Sequence, residues 1–227
     1  MVERVWYAGY GSNLSRERFL CYLRGGRPPG GARVYRGCAD RRAPSADVAA
    51  TLPFGLYFAG ASTVWGGGIA FVDPRATGDS VTLARLWLVT RGQFTDLVAQ
   101  ENHVAALRLP ARHGATGRLY VCGSGRYGAV LHCGQRDGRA VLTVTSPDEP
   151  GGRALAAPRP AYVRAMVSGL RETHGLAVEA ALEYLLDRPG VRGQLGRDDL
   201  LAAVGPSPTR GRRSMPPASV DRGKAGR

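Results

Sequence analysis

Hydrophobic positions along this chain first cluster at residues 5–8, Val5-Trp6-Tyr7-Ala8, a run suited to a buried strand. Gly9 and Gly11 then permit a tight turn, and Ser15-Arg16-Glu17-Arg18-Phe19-Leu20 opens a helical pattern with Ser15 as its N-cap. Phe19, Leu20 and Leu23 give that helix an apolar face, and Gly25-Gly26 ends it. A strand is expected over 32–38, and two short ones over 56–59 and 68–72, around a Trp65-Gly66-Gly67-Gly68 bend. The clearest strand spans 81–90, where Leu83, Leu86, Trp87, Leu88 and Val89 are apolar enough for a buried place in a sheet. It runs into a helix starting near Thr90 or Arg91, on which Phe94, Leu97 and Val98 stand at i, i+3 and i+4. The i+7 residue of that core-facing stripe is Glu101.

Three further strands are expected over 118–122, 127–133 and 140–145, the last two joined by a hairpin at Gln135-Arg136-Asp137-Gly138. Pro160 opens a helix whose stripe is Tyr162, Val163, Met166, Val167 and Leu170, and which ends at Gly175. A second helix follows over 178–186 and stops at Pro189; residues 198–204 form one more short helix. Five or more strands with interspersed helices predict an α+β fold with a closed or nearly closed mixed sheet. The expected organisation is one domain over 1–187, an extension with a short helix over 188–204, and a disordered basic tail over 205–227. The tail holds four prolines and almost no large apolar residue, so it cannot bury enough surface to offset its ordering entropy.

Composition changes this picture little. A chain of 227 residues with 44% hydrophobic content can bury one sizeable core. The formal charge of +13 raises the question of nucleic acid, because clustered cations neutralise phosphates. The excess is almost all arginine, with Lys224 the only lysine, and it is scattered through loops and strand ends, which argues against a nucleic-acid footprint. Cys21, Cys38, Cys122 and Cys133 form no C-x-x-C pair, so reduced thiols are expected rather than disulfides or a zinc site. No run approaches the ~18 apolar residues of a membrane span, and cytoplasmic residence without membrane attachment is expected.

Two features carry candidate chemistry. A glycine turn between a strand and a helix start gathers backbone N–H groups into a concavity that favours an anion or a developing oxyanion. A carboxylate on an apolar stripe, as at Glu101, is costly unless paired, and burial raises its pKa toward that of a general acid/base. The plain alternative for Glu101 is an ion pair with one of the many arginines, or a frayed helix end beside Asn102 and His103. A base together with an oxyanion site is a minimal acyl-transfer arrangement. Other chemistries fit less well. Gly9-x-Gly11 lacks the third glycine of a dinucleotide fingerprint, and Ser12 is not in a G-x-S-x-G elbow. His103, His113, His132 and His174 show no metal-ligand spacing, which disfavours zinc chemistry, a zinc-dependent deacetylase included. Tyr7 and Tyr10 suit either the core or a cavity wall.

Residues 7–14, Tyr7-Ala8-Gly9-Tyr10-Gly11-Ser12-Asn13-Leu14, resemble the Tyr-x-x-Tyr-Gly-Ser-Asn-Leu signature of the gamma-glutamylcyclotransferase-like superfamily. Trp65-Gly66-Gly67-Gly68-Ile69-Ala70, Gln100-Glu101 and Pro160-Ala161-Tyr162 resemble further segments in the same order, over roughly residues 4–175. The second late helix and the basic tail have no counterpart in the resemblance. It implies a mixed β-barrel-like sheet with flanking helices, a cavity at its mouth, a small-molecule gamma-glutamyl substrate, and no metal or organic cofactor. The backbone of Tyr10, Gly11, Ser12, Asn13 and Leu14 would hold the gamma-glutamyl group, and Glu101 would be the general base and acid. Members of the superfamily release 5-oxoproline when the glutamyl α-amine attacks its own γ-carbonyl. The resemblance leaves open gamma-glutamyl amino compounds, amines and aminoglycoside conjugates as substrates, and a non-catalytic binding or scaffold protein as the alternative function.

Overall fold

The computed structural model describes residues 2–75, 80–110, 114–148 and 152–205. In chain order the strands are β1 (Arg4–Gly9), β2 (Ala46–Leu52), β3 (Gly55–Ala59), β4 (Ile69–Asp73), β5 (Thr82–Thr90), β6 (Leu119–Val121), β7 (Ala129–Arg136) and β8 (Arg139–Thr145). The helices are α1 (Arg16–Arg24), α2 (Arg91–Glu101), α3 (Pro160–His174), α4 (Val178–Leu186) and α5 (Arg197–Val204), with a 3-10 turn over Ser12–Leu14 between β1 and α1.

Six strands form one mixed sheet in the order β2-β5-β1-β8-β7-β6, and β3 pairs with β4 as a separate antiparallel ribbon. Strand β1 lies inside the sheet, antiparallel to β5 and parallel to β8. Its period-2 alternation sends Val5 and Tyr7 to one face and Trp6 and Ala8 to the other. Both faces are covered, which explains an apolar run without polar alternation. On the Tyr7 side, Phe19 and Leu23 of α1 and Phe94, Leu97 and Val98 of α2 pack against Trp87 and Leu142. On the Trp6 side lie the ribbon and α3, α4 and α5.

The α+β class and the flanking helices are as expected, but the sheet does not close into a barrel: β2 and β6 are its free edges. The ribbon reaches the main sheet through side chains instead of a backbone ladder. Thr145 Oγ1 donates to Val72 O at 2.6 Å, and Tyr127 Oη donates to Ala70 O at 2.8 Å. Two other differences concern individual strands. Segment 32–38 is a loop, tied to its surroundings by a bridge between Gly26 and Tyr35 and by the Ala32 and Cys38 amides, which donate to Val64 O and Leu23 O; Val34 is exposed, and Gly37 takes φ +85°. Strand β2 lies where no strand is expected from the sequence, because it is an edge strand with most of its residues out of the core.

Helix α5 packs on α3, with Leu200 buried and Arg164 Nε donating to Ala203 O at 3.1 Å. The expected tail falls, from residue 206 on, outside the described residues, as does His113. Among the described residues no helix is long and apolar enough to cross a membrane, and no three His, Cys, Asp or Glu side chains gather as metal ligands.

Candidate active site

The turn after β1 is held from all sides. Ser15 caps α1, accepting from the Arg18 amide, and Trp87 Nε1 donates to Asn13 O at 3.0 Å. Tyr10 Oη donates to Val144 O at 2.7 Å, and Asn13 Nδ2 donates to Tyr7 Oη at 2.8 Å. Tyr7 and Tyr10 are therefore both buried core residues and parts of the cleft wall. The hydroxyl of Tyr162, on α3, sits over the turn and accepts from the Ala70 and Ser12 amides. A Cβ on Gly11 would lie 2.5 Å from that oxygen, so only glycine fits there without movement.

Beside the turn opens a cleft whose lining includes Tyr10, Gly11, Ser12, Asn13 and Glu101. Leu14 stands apart. Its side chain is fully buried in the core, and its amide is taken by Gly11 O at 3.1 Å.

Glu101 reaches the cleft because of where α2 starts and stops. Thr90 and Gln93 form a reciprocal capping box at the N-terminus, and Phe94, Leu97 and Val98 fix the helix rotation by burial. The C-terminus closes in a Schellman turn: the Val104 amide donates to Ala99 O at 3.0 Å and the His103 amide to Gln100 O at 3.3 Å. His103 occupies the left-handed position, φ +57°, that glycine usually fills.

The Glu101 carboxylate accepts from Tyr22 Oη. Burial pushes its pKa up, and the Tyr22 hydrogen bond, Arg18, Arg33 and Asn13 partly offset the rise. The phenol of Tyr22 is itself pushed far above its ordinary range by burial and by the adjacent Glu101, so it remains a donor.

Behind Tyr22 lies Arg18, only 3% exposed. Its Nη2 donates to Tyr35 Oη at 2.8 Å and to Tyr22 Oη at 3.1 Å. The guanidinium carbon is 4.5 Å from the centroids of both tyrosine rings and 5.8 Å from that of Trp65. Nε and Nη1 have no hydrogen-bond acceptor among the described residues, so aromatic faces and the nearby carboxylate compensate this buried charge. Against its own desolvation, Tyr22, Tyr35 and Glu101 hold the guanidinium in its charged form. The result is a chain from Arg18 through Tyr22 to Glu101, which steadies a carboxylate able to give and take a proton.

Glu101 and residues 10–13, the candidates from the sequence, line this cleft together with Arg18, Tyr22, Tyr35 and Tyr162, which the sequence does not single out as site residues. Arg18 and Tyr22 are buried one turn apart on α1, whereas Leu20, assigned to the apolar face, is only half-buried. The legible signal is the i, i+4 spacing of a cation and an aromatic beside Phe19 and Leu23.

The fold is similar to that of solved gamma-glutamyl cyclotransferase-like structures. A solved gamma-glutamyl cyclotransferase superposes with a TM-score of 0.52 at 20% identity, covering 82% of this chain and 89% of that one. A solved human protein, described as uncharacterized, gives a TM-score of 0.50 at 19% identity over 86% of this chain and 92% of that one. By sequence, the chain is 34% identical over 200 residues to a protein of Arabidopsis thaliana named Histone deacetylase 5. That match covers 80% of this chain but only 30% of the plant protein. No family profile matches the chain.

Proposed function

We propose that the protein is a cyclotransferase-type enzyme that releases 5-oxoproline from a gamma-glutamyl amide. The observation that carries this reading is the Glu101 carboxylate, raised in pKa by burial, facing the same cleft as the Tyr10-Gly11-Ser12-Asn13 turn. In the proposed reaction the turn holds the gamma-glutamyl group, and Glu101 accepts a proton from the α-ammonium. The freed amine attacks the γ-carbonyl, a C–N bond forms, and the original amide C–N bond breaks. Glu101 returns that proton to the leaving nitrogen as the bond breaks, takes the second proton from the new ring nitrogen to leave 5-oxoproline, and passes it to the released amine. Nucleophile and electrophile belong to one molecule, so orientation alone can supply on the order of 7–11 kcal/mol of the barrier. One well-placed carboxylate suffices for the remaining proton transfers.

The test is mass-spectrometric detection of 5-oxoproline after incubation with gamma-glutamyl dipeptides, amines and aminoglycoside conjugates, using wild type and Glu101→Gln. Product from the wild type that disappears in the folded variant is the expected result; absence of product across the panel overturns the proposal. A second reading, a binding module that performs no chemistry, draws on the match to under a third of a longer protein whose name refers to another activity. It predicts ligand binding without 5-oxoproline.

A further inference from the structure

The rim of the cleft has a charge pattern that the proposed reaction does not use. Of the charged side chains lining the cleft among the described residues, Arg18, Arg33 and Arg126 are arginines, and Glu101 is the one carboxylate. Arg18 is buried and occupied by its aromatic neighbours. Arg33 and Arg126 are half-buried, and neither has a carboxylate in salt-bridge contact among the described residues.

Arg33 is nonetheless held in place. Its Nη1 lies 3.3 Å from Gln100 O and 2.6 Å from His103 Nδ1, and its guanidinium carbon is 5.1 Å from the centroid of the Tyr35 ring. The guanidinium donates to His103 Nδ1 and so selects the neutral imidazole with its proton on Nε2. Partial burial, then Arg33 and Arg126, lower the His103 pKa, in keeping with that form. The left-handed backbone of His103 spends conformational energy to keep this imidazole at the rim. Two cations and a neutral donor are thus collected at the mouth of a cleft whose acid is already engaged by Tyr22.

We infer that Arg33, His103 and Arg126 form a rim subsite for a carboxylate carried by the leaving part of the substrate. This inference rests on the cyclotransferase reading, which puts the gamma-glutamyl group at the turn and the scissile amide at Glu101. The leaving amine then extends toward the rim, where planar guanidinium groups match a carboxylate in shape and charge. An amino acid or peptide as leaving group meets this requirement. A polyamine or an aminoglycoside brings like charge to the same place and is disfavoured.

The experiment separates the subsite from the reaction by measuring binding to the Glu101→Gln protein. Calorimetry compares gamma-glutamyl-alanine, its C-terminal amide and gamma-glutamyl-putrescine, of which the first alone presents a carboxylate to the rim. The acid is expected to bind about tenfold tighter than the amide, equivalent to about 1.4 kcal/mol, and the diamine more weakly than both. Adding Arg33→Gln or Arg126→Gln shrinks the preference for the acid. Equal affinity for acid and amide, a preference unchanged by both substitutions, or no binding of the acid at all would overturn the inference. Release of 5-oxoproline by the wild type is read in parallel. Preferential binding of the acid without product refutes the reaction and leaves the subsite standing.

Discussion

Replacing Tyr22 by Phe tests whether the buried phenol tunes Glu101. The substitution deletes one oxygen that donates to Glu101 Oε1 and accepts from Arg18 Nη2, while Arg18 keeps its 2.8 Å bond to Tyr35. A hydrogen bond to a charged group contributes about 1.5–3 kcal/mol net. This one favours the ionised carboxylate, and each 1.36 kcal/mol corresponds to about a tenfold change in the protonation equilibrium. Losing it therefore reinforces the effect of burial, and below the titration midpoint the ionised fraction of Glu101 falls about 10- to 100-fold. The acidic limb of kcat/KM against pH should move to higher pH, with the rate recovered at the plateau. A 13C titration of the Glu101 side-chain carboxyl should move in the same direction. An unmoved titration would refute the reasoning, as would a plateau that falls with the limb in place, since Tyr22 would then act by holding the substrate.

Three further outcomes follow from the same geometry. Because burial raises the Glu101 pKa above 4.5, the native state holds its proton more tightly than the unfolded chain does, and stability is lost as pH rises through the folded value. Glu101→Gln should therefore melt above wild type at pH 8, with the gain fading below about pH 4, where the wild-type carboxyl is neutral in both states; a gain independent of pH would contradict the assignment. His103→Gly relieves a left-handed residue at the end of α2 and should stabilise by about 1 kcal/mol, roughly 2–4 °C in a domain of this size, as read by thermal melting. No gain would mean that the Arg33 contact outweighs the strain. Gly11→Ala sets a methyl against Tyr162 Oη and should cost about 1–3 kcal/mol in urea unfolding while reducing turnover, with Tyr162→Phe in the same chain recovering part of the stability; wild-type stability would show that the turn yields freely.

What could be read in advance was whatever the chain encodes locally. The β1, turn and α1 unit is legible because an apolar run, two glycines and a Ser N-cap adjoin within fifteen residues. Glu101 is legible because a charge interrupts the apolar stripe of a capped helix. Segment 32–38 misleads because Val34 and Tyr35 look like strand residues, whereas one faces solvent and the other turns inward to Arg18. Strand β2 escapes for the opposite reason: its Asp47 is spent on the buried Arg85, at 2.6 Å, and not on a hydrophobic face. The Arg18 cage is the least legible part, since Tyr22, Tyr35 and Trp65 come from α1 and two separate loops that meet only in the folded chain. A buried guanidinium without a paired carboxylate is unfavourable in any one of those segments alone. It becomes tolerable only when the aromatic faces converge on it, and that convergence also brings Tyr22 to Glu101. The folding of the α1 neighbourhood and the tuning of the cleft carboxylate are thus one event, so substitutions that loosen the cage, Trp65→Ala among them, should shift the titration of Glu101 as well as lower stability.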